Sequence, residues 1–309
     1  MHPLNKKPFA AAFLLILFAV VLAGPSLAQA STRSAGQSAA PPASAAAHEA
    51  LMKQAKSWVK ALSEQEAFQG WKNAKLQIQA LGPGTHGWLI TLHDSKKQPI
   101  GYLVAYAGDK QTYQLGEYGL GSQPLFDEAT LKRSLLDNGL IGSMTDSSYR
   151  TVKHYAHPFA AVWEVTIDKM TYWLDAKSGE LLPLDQTAWS LLEQDSSAMR
   201  SLSRTSNNQA SGDAKRIILN AAFDPYERLP WLLKEQPFDA SDESAFSDRL
   251  ASKQQLRYVS EPFGDKMLYA LPVVGYLQWS GGRIDAALDM NGTRFIPLTQ
   301  LVQLGLFYK

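Results

Sequence analysis

Cysteine is absent from the 309-residue chain. Its absence excludes a cysteine nucleophile, a thiolate metal site and a disulfide framework. A chain of this length can bury a sufficient hydrophobic core without disulfides, so the lack of cysteine does not argue against export.

An excess of either charge is also missing, because the chain has 30 basic and 29 acidic side chains. Removal of the leader described below takes away two lysines and no acid, and 30 less two leaves 28 basic side chains against 29 acidic ones. Nucleic-acid binding requires a clustered basic surface, so a near-neutral chain argues against a nucleic-acid partner.

Long apolar runs are scarce, and the one that exists is Phe9–Ala23 near the N-terminus. It follows Lys6-Lys7 and precedes small residues at Ala28 and Ala30, which is the order typical of a secretory signal peptide. We therefore predict that residues 1–30 are a signal peptide and that the chain is secreted or extracytoplasmic, including association with the cell surface. Cleavage after Ala28 and cleavage after Ala30 are both open. So is retention of the segment as a membrane anchor, which is the one route to a membrane partner.

Composition and periodicity divide the rest of the chain into segments. Residues 31–46 are almost wholly small or polar and cannot bury enough apolar surface to fold, which predicts a flexible tether. We predict a first helix-plus-meander unit, a second such unit, a linker and a β-rich C-terminal domain, at 47–122, 123–185, 186–214 and 215–309. This order predicts an α+β fold with two helix-plus-antiparallel-meander units in tandem.

Local signals support these segments. Apolar residues at helical spacing predict a helix over 47–68, while Asp127 and Asn138-Gly139 predict the start and end of a second helix. Further helices are predicted near 189–192, 243–252 and 298–304. The predicted strands are 76–78, 88–93, 101–106, 112–115, 149–155, 161–167, 170–174, 217–219, 268–276, 284–288 and 294–296. Asn291-Gly292 between apolar segments predicts a hairpin.

The second unit contains Trp163–Asp168 and then Tyr172–Leu182, an aromatic-rich strand that runs into Asp-Ala-Lys-Ser-Gly-Glu. It resembles the PepSY-like domain family, whose signature ends in Val-Asp-Ala-Lys-Thr-Gly-Glu, and departs from it at Leu174 and Ser178. The resemblance covers about residues 126–185. It implies an exported, cystatin-like helix-on-sheet module that binds or restrains peptidases or assists assembly at the cell surface, and it implies no catalytic residue.

The whole layout also resembles exported proteins of Gram-positive bacteria whose activity is uncharacterised. The shared stretches include Leu115–Gly121. This broader resemblance implies no activity.

Eight residues are candidates for binding a partner. Glu117 and Tyr118 lie among Gly116, Gly119 and Gly121, which we interpret as a tight corner that exposes the two side chains. Aromatic residues of the second unit and the C-terminal domain are candidates for a peptide-binding or glycan-binding groove, with core packing as the alternative. These are Trp163, Trp173, Tyr226, Trp231, Tyr276 and Trp279.

The sequence predicts no catalytic centre, metal site or cofactor. His154 and His157 are three apart on a predicted strand, which places them on opposite faces and disfavours a shared metal ion. We therefore predict an exported, non-catalytic binding module at the cell envelope with a protein or peptide partner, which restrains or binds a peptidase. The alternatives are a carboxylate-dependent hydrolase using Asp224, Glu227 and Asp289, and a structural surface protein.

Overall fold

The computed structural model describes residues 45–83, 85–108, 112–204, 210–227 and 235–309, with the main chain alone from 197 to 204. The predicted signal peptide at 1–30 and most of the predicted tether lie outside the described residues. The first helix begins at Ala45, just inside the predicted tether. Residues 39–309 group into one compact unit.

Helices and antiparallel strands alternate along the described chain. The helices are α1 (Ala45–Ser63), α2 (Glu128–Asp137), α3 (Gln186–Arg204), α4 (Glu243–Ala251) and α5 (Leu298–Leu304), with a 3-10 helix at Glu66–Trp71. The strands are β1 (Lys75–Ala80), β2 (Gly87–His93), β3 (Pro99–Ala107), β4 (Tyr113–Leu120), β5 (Arg150–Tyr155), β6 (Ala161–Ile167), β7 (Met170–Asp175), β8 (Ala214–Leu219), β9 (Leu256–Ser260), β10 (Pro262–Asp265), β11 (Tyr269–Trp279), β12 (Ile284–Asp289), β13 (Thr293–Pro297) and β14 (Leu306–Tyr308). The predicted α+β class is confirmed.

A ten-stranded sheet forms the centre of the fold. Its strands follow the order β1-β2-β3-β4-β13-β12-β11-β9-β14, and β8 pairs with β11 beside β9. The predicted first unit and the predicted C-terminal domain therefore contribute to the same sheet. They meet where β4 pairs with β13, at Arg294 opposite Gly119 and Phe295 opposite Tyr118.

Strand alternation gives this sheet two buried faces. Ile90 and Leu103 point to one face, where they pack with Trp58 of α1. Leu89 and Val104, their neighbours in sequence, point to the other face and pack with α2 and the small sheet β5-β6-β7. Helices α3, α4 and α5 contribute to a third apolar cluster together with strands β9, β11 and β12.

The second helix begins and ends where the sequence predicts. The Asp127 carboxylate accepts a hydrogen bond from the Thr130 main-chain N at 2.8 Å, which satisfies one of the free N–H groups of the first turn. Asn138 ends the helix, and Gly139 follows with a φ of +67°, which glycine adopts without strain.

The turn after β7 also forms as predicted. The Asp175 Oδ1 atom accepts hydrogen bonds from the main-chain N atoms of Lys177 and Ser178 at 2.8 and 2.7 Å. Gly179 closes the turn with a φ of +78°. At the other end of the chain, Asn291 and Gly292 both have positive φ and join β12 to β13, so the predicted hairpin is confirmed.

The glycine-rich segment after β3 differs from its interpretation as a corner. Gly116 and Gly119 lie inside β4, and a Cβ atom on either would be 2.4 Å from the ring of Tyr106 or Tyr102. These glycines therefore make room for cross-strand tyrosines. Of the three, Gly121 has the positive φ of a corner residue, at +112°.

The predicted linker at 186–214 is mostly helical. The helix expected near 189–192 continues through Gln186–Arg204, because this stretch contains no glycine or proline to end it. Trp189 anchors it on the small sheet by stacking on Trp173 with ring centroids 5.5 Å apart. Strands β9, β10 and β14 were not predicted, because each is a short segment of three to five residues, and β9 also contains a charged residue, Arg257.

We expect substitution of Gly82 to destabilise the protein. Gly82 has a φ of +142°, and a Cβ atom there would be 2.3 Å from the Lys153 carbonyl oxygen of β5. Gly82→Ala should lower the free energy of unfolding by about 1–3 kcal/mol, measured by urea denaturation. Gly142→Ala is the matched control, since nothing lies within 4 Å of its Cβ position. Equal effects of the two substitutions would contradict the proposed close approach.

Candidate functional site

Six of the eight predicted binding residues are in the protein core. Their exposed fractions lie between 0 and 3%, and they are Glu117, Tyr118, Trp163, Trp173, Tyr276 and Trp279. The expected exposure of Glu117 and Tyr118 is wrong, because β4 is an internal strand between β3 and β13. Tyr226 is exposed, at 53%, and Trp231 lies outside the described residues.

Glu117 forms a fully buried ion pair with Arg294. Its Oε2 atom lies 2.7 Å from Arg294 Nη2, and its Oε1 atom accepts a hydrogen bond from the Tyr102 hydroxyl at 3.2 Å. The guanidinium also donates to the Pro158 carbonyl oxygen at 2.7 Å and contacts the Met290 sulfur at 3.0 Å. Burial raises the pKa of the Glu117 carboxyl, and the charge of Arg294 opposes that rise. The pair thus joins β4 to β13 and both strands to the loop between β5 and β6.

A second buried ion pair lies on the opposite face of the same junction. Arg283 Nε is 2.6 Å from Asp285 Oδ1, and Asp285 Oδ2 accepts a hydrogen bond from the Trp279 indole at 2.8 Å. The Arg283 guanidinium also donates to the main-chain carbonyls of Leu115 and Gly116, at 2.6 and 3.4 Å. The Glu117–Arg294 pair therefore crosses from β4 to β13 on one face, whereas on the other face the Arg283–Asp285 pair lies within the C-terminal part and reaches β4 through hydrogen bonds of Arg283.

Lys177, in the turn after β7, lies close to the Glu117–Arg294 pair. Its ammonium group donates to the Gln123 carbonyl oxygen and lies 5.7 Å from the centre of the Tyr102 ring. The side chain is buried, and this burial, together with the charge of Arg294, lowers its pKa to about 8, while the charge of Glu117 acts in the opposite direction. Lys177 is therefore a buried amine whose charge changes close to neutral pH.

The residues of the hydrolase hypothesis lie on different elements of the fold. Asp224 and Glu227 are on the loop after β8, and Asp289 is at the end of β12. Strands β8 and β12 pair with opposite edges of β11. The structure therefore does not bring the three carboxylates to one strand edge, and the hydrolase hypothesis stays a prediction.

The two histidines considered for metal binding have local partners. His154 Nε2 lies 2.7 Å from Glu164 Oε2, and His157 Nδ1 accepts from the Phe159 main-chain N at 3.2 Å. Across the described ranges, no group of three or more His, Cys, Asp or Glu side chains is placed to hold a metal ion.

One end of the large sheet has an open edge. The six residues of β1 pair with β2 alone, and Leu81 N donates to Gly87 O just beyond the ladder. In an antiparallel pair, hydrogen-bonded and non-hydrogen-bonded residues alternate. Counting back from Leu81, the backbone groups of Ala80, Ile78 and Leu76 point away from β2. Within the described part of the chain, no other backbone group bonds to them.

Comparisons with protein-family models, with curated proteins and with solved structures give no match. Among the described helices, none has both the length and the apolar composition that a bilayer span requires.

Sequence reasoning missed Lys177 and the four residues of the two ion pairs as a connected group. The available signal was a set of charged residues inside apolar strand patterns, at Arg283, Asp285 and Arg294. A charge at an inward strand position requires a buried partner, which is a reason to search for one elsewhere in the chain.

We expect the Glu117–Arg294 pair to behave as one unit in stability measurements. Glu117→Leu leaves the Arg294 charge buried without its partner and should cost about 3–5 kcal/mol in urea denaturation. The double substitution Glu117→Leu with Arg294→Met should recover much of that loss, since no uncompensated charge remains. Glu49→Gln on the exposed side of α1 is the control, with an expected change within about 0.5 kcal/mol. Arg294→Met is measured alone as well, and a double variant that loses the sum of the two single losses would show that the charges are not coupled.

Proposed function

We propose that this protein is an exported, non-catalytic binding module that pairs with an extended segment of a partner protein along β1. The observation that carries the proposal is the open edge of that strand, where the backbone groups of Leu76, Ile78 and Ala80 point outward. Such an edge binds an extended peptide by main-chain hydrogen bonds.

The edges at β14 and β5 are less suited to this role. Strand β14 has three residues, and Phe238 N donates to the Phe307 carbonyl oxygen of that strand at 2.9 Å. At β5, the Lys153 carbonyl oxygen faces Gly82, which approaches so closely that no Cβ atom fits. Strand β1 therefore offers the longer free backbone at an end of the large sheet.

The side chains of β1 favour an ordered strand that is available for pairing. Leu76 and Ile78 pack on the core formed with α1, so the strand is held in place from one face. Lys75 and Gln77 are exposed on the other face. Charged and polar residues on an edge strand limit uncontrolled pairing with other copies, which favours a specific partner over aggregation.

The location and the partner class rest on the sequence. The signal peptide predicted at residues 1–30 supports a site of action outside the cytoplasm, and the resemblance of residues 126–185 to the PepSY-like family supports a peptidase as the partner. Trp163 and Trp173 are buried, so their side chains are not part of the proposed contact.

The open edge of β1 and the binding of a peptide to it can be tested separately. In the free protein, amide exchange followed by NMR should be fast at Ile78 and Ala80 and slow at Gln77 and Gln79, because alternate residues bond to β2. The probe for binding is a synthetic peptide of alternating valine and threonine. It should slow exchange at Ile78 and Ala80, and the same peptide with alternate N-methylated amides should not.

Ala80→Pro should weaken peptide binding about tenfold or more, because it removes an outward N–H group at an exposed position and leaves the β1–β2 bonds intact. Ala80→Ser keeps the N–H group and is the matched control. In a pull-down from the secreted-protein fraction, Ala80→Ser should retain a partner protein and Ala80→Pro should not. Equal binding by both variants would overturn the proposal, and absence of any binding to wild type would favour a structural surface role.

A further inference from the structure

A surface pocket lies where three distant parts of the chain meet. Its walls come from α2, from the turn after β7 and from Asn291 in the hairpin between β12 and β13. Its volume is about 330 Å³, at the lower end of the range of small-ligand sites. Every lining side chain is polar or charged apart from one glycine, which is unusual because ligand pockets are mostly apolar. A pocket with such walls suits a small and strongly polar ligand.

The pocket contains charges of both signs. Lys177 and Arg133 supply two positive charges, and Asp137 and Glu180 supply two negative ones. Arg133, Asp137 and Glu180 are exposed at the rim, whereas Lys177 is 2% exposed. A purely anionic ligand would meet the two carboxylates, and a purely cationic one would meet the buried ammonium. A ligand with one charge of each sign satisfies both.

The pocket walls are fixed before any ligand arrives. The Ser134 hydroxyl donates to the Gly179 carbonyl oxygen at 2.5 Å, which ties α2 to the turn. A Cβ atom on Gly179 would be 3.0 Å from the Ser134 side chain, so glycine permits this close packing. Preformed walls reduce the entropy that a ligand must lose on binding.

The Asp175 carboxylate is close to Lys177, but its oxygen atoms bond to other groups, so the Lys177 ammonium can still bind a ligand. Asp175 Oδ1 accepts from the main-chain N atoms of Lys177 and Ser178, and Oδ2 lies 3.5 Å from the Tyr269 hydroxyl. The ammonium donates a hydrogen bond to a neutral carbonyl, that of Gln123. An ammonium has three donor hydrogens, so it retains the capacity to bind a carboxylate.

We propose that this pocket binds a small zwitterion, namely a free amino acid or a dipeptide. The ligand carboxylate lies against Lys177 and Arg133, and its ammonium group lies against Asp137 and Glu180. The Asn291 amide supplies hydrogen bonds to the rest of the ligand, since the Ser178 hydroxyl already donates to Asp175 and accepts from the Glu180 main-chain N. This site is separate from the β1 edge and does not depend on peptide pairing there.

The charge state of Lys177 makes binding dependent on pH. The groups that face its amine are Arg294 on β13, Glu117 on β4, Asp175 on β7 and Asp127 at the start of α2. With a pKa of about 8, the amine carries its charge below that pH and loses it above. Affinity for a carboxylate should therefore fall as the pH rises through about 8. The ammonium group of a dipeptide titrates in the same range, so N-acetyl-alanyl-alanine, which has no ammonium group, is the ligand for this measurement.

The test is titration of the full chain with L-alanyl-L-alanine, followed by NMR chemical shifts of residues around the pocket. N-acetyl-alanyl-alanine lacks the positive charge, and alanyl-alanine amide lacks the negative one. Each should bind about tenfold more weakly than the dipeptide, since each loses one charge-assisted contact. Glucose, a neutral polyol of similar size, serves as a third ligand and should not bind.

Arg133→Gln and Glu180→Gln change exposed rim residues and should leave the fold intact. Each should weaken dipeptide binding about tenfold, and Arg150→Gln on β5 should leave it unchanged. Lys177→Met is the stronger test of the buried amine and should also remove the pH dependence of N-acetyl-alanyl-alanine binding. Absence of shifts at about 10 mM dipeptide, equal binding of the single-charge analogues, or preference for glucose would each overturn the proposal.

Discussion

The ion pair between Glu117 and Arg294 is the contact on which the arrangement of the layers depends. The ladder between β4 and β13 consists of two residue pairs, which is little backbone pairing for the centre of a ten-stranded sheet. The same guanidinium donates to the Pro158 carbonyl oxygen in the loop between β5 and β6 of the small sheet. Two buried charges are costly unless they are paired and hydrogen-bonded. Here one pair satisfies both charges and joins three segments of the chain.

Local structure could be predicted from the sequence because its determinants are close together in the chain. Helix α2 depends on the cap at Asp127 and the stop at Asn138-Gly139, and the last hairpin depends on Asn291-Gly292. The strands β5, β6 and β7 follow from alternating residues and short turns. In each case the residues that decide the conformation lie within a few positions of one another.

The long-range arrangement could not be predicted in the same way. Glu117 and Arg294 are separated by 177 positions, and the sequence around either residue does not indicate which residue it pairs with. Glu117 was interpreted as exposed because charged residues usually are, and because glycines on both sides suggest a corner. Those glycines instead accommodate tyrosine rings from β3. The pocket around Lys177 was missed for the same reason, since its walls come from three distant segments.

The pairing of β4 with β13 has a consequence for the order of folding. A chain is synthesised from its N-terminus, so β4 is complete long before the residues that cover its free edge. Until β13 arrives, Glu117 has water in place of Arg294, and the meander β1–β4 ends in an open strand on both sides. Closing such a distant contact is slow compared with forming local hairpins. We therefore expect the sheet to be completed late, in a step that buries two charges and joins β4 to the C-terminal strands.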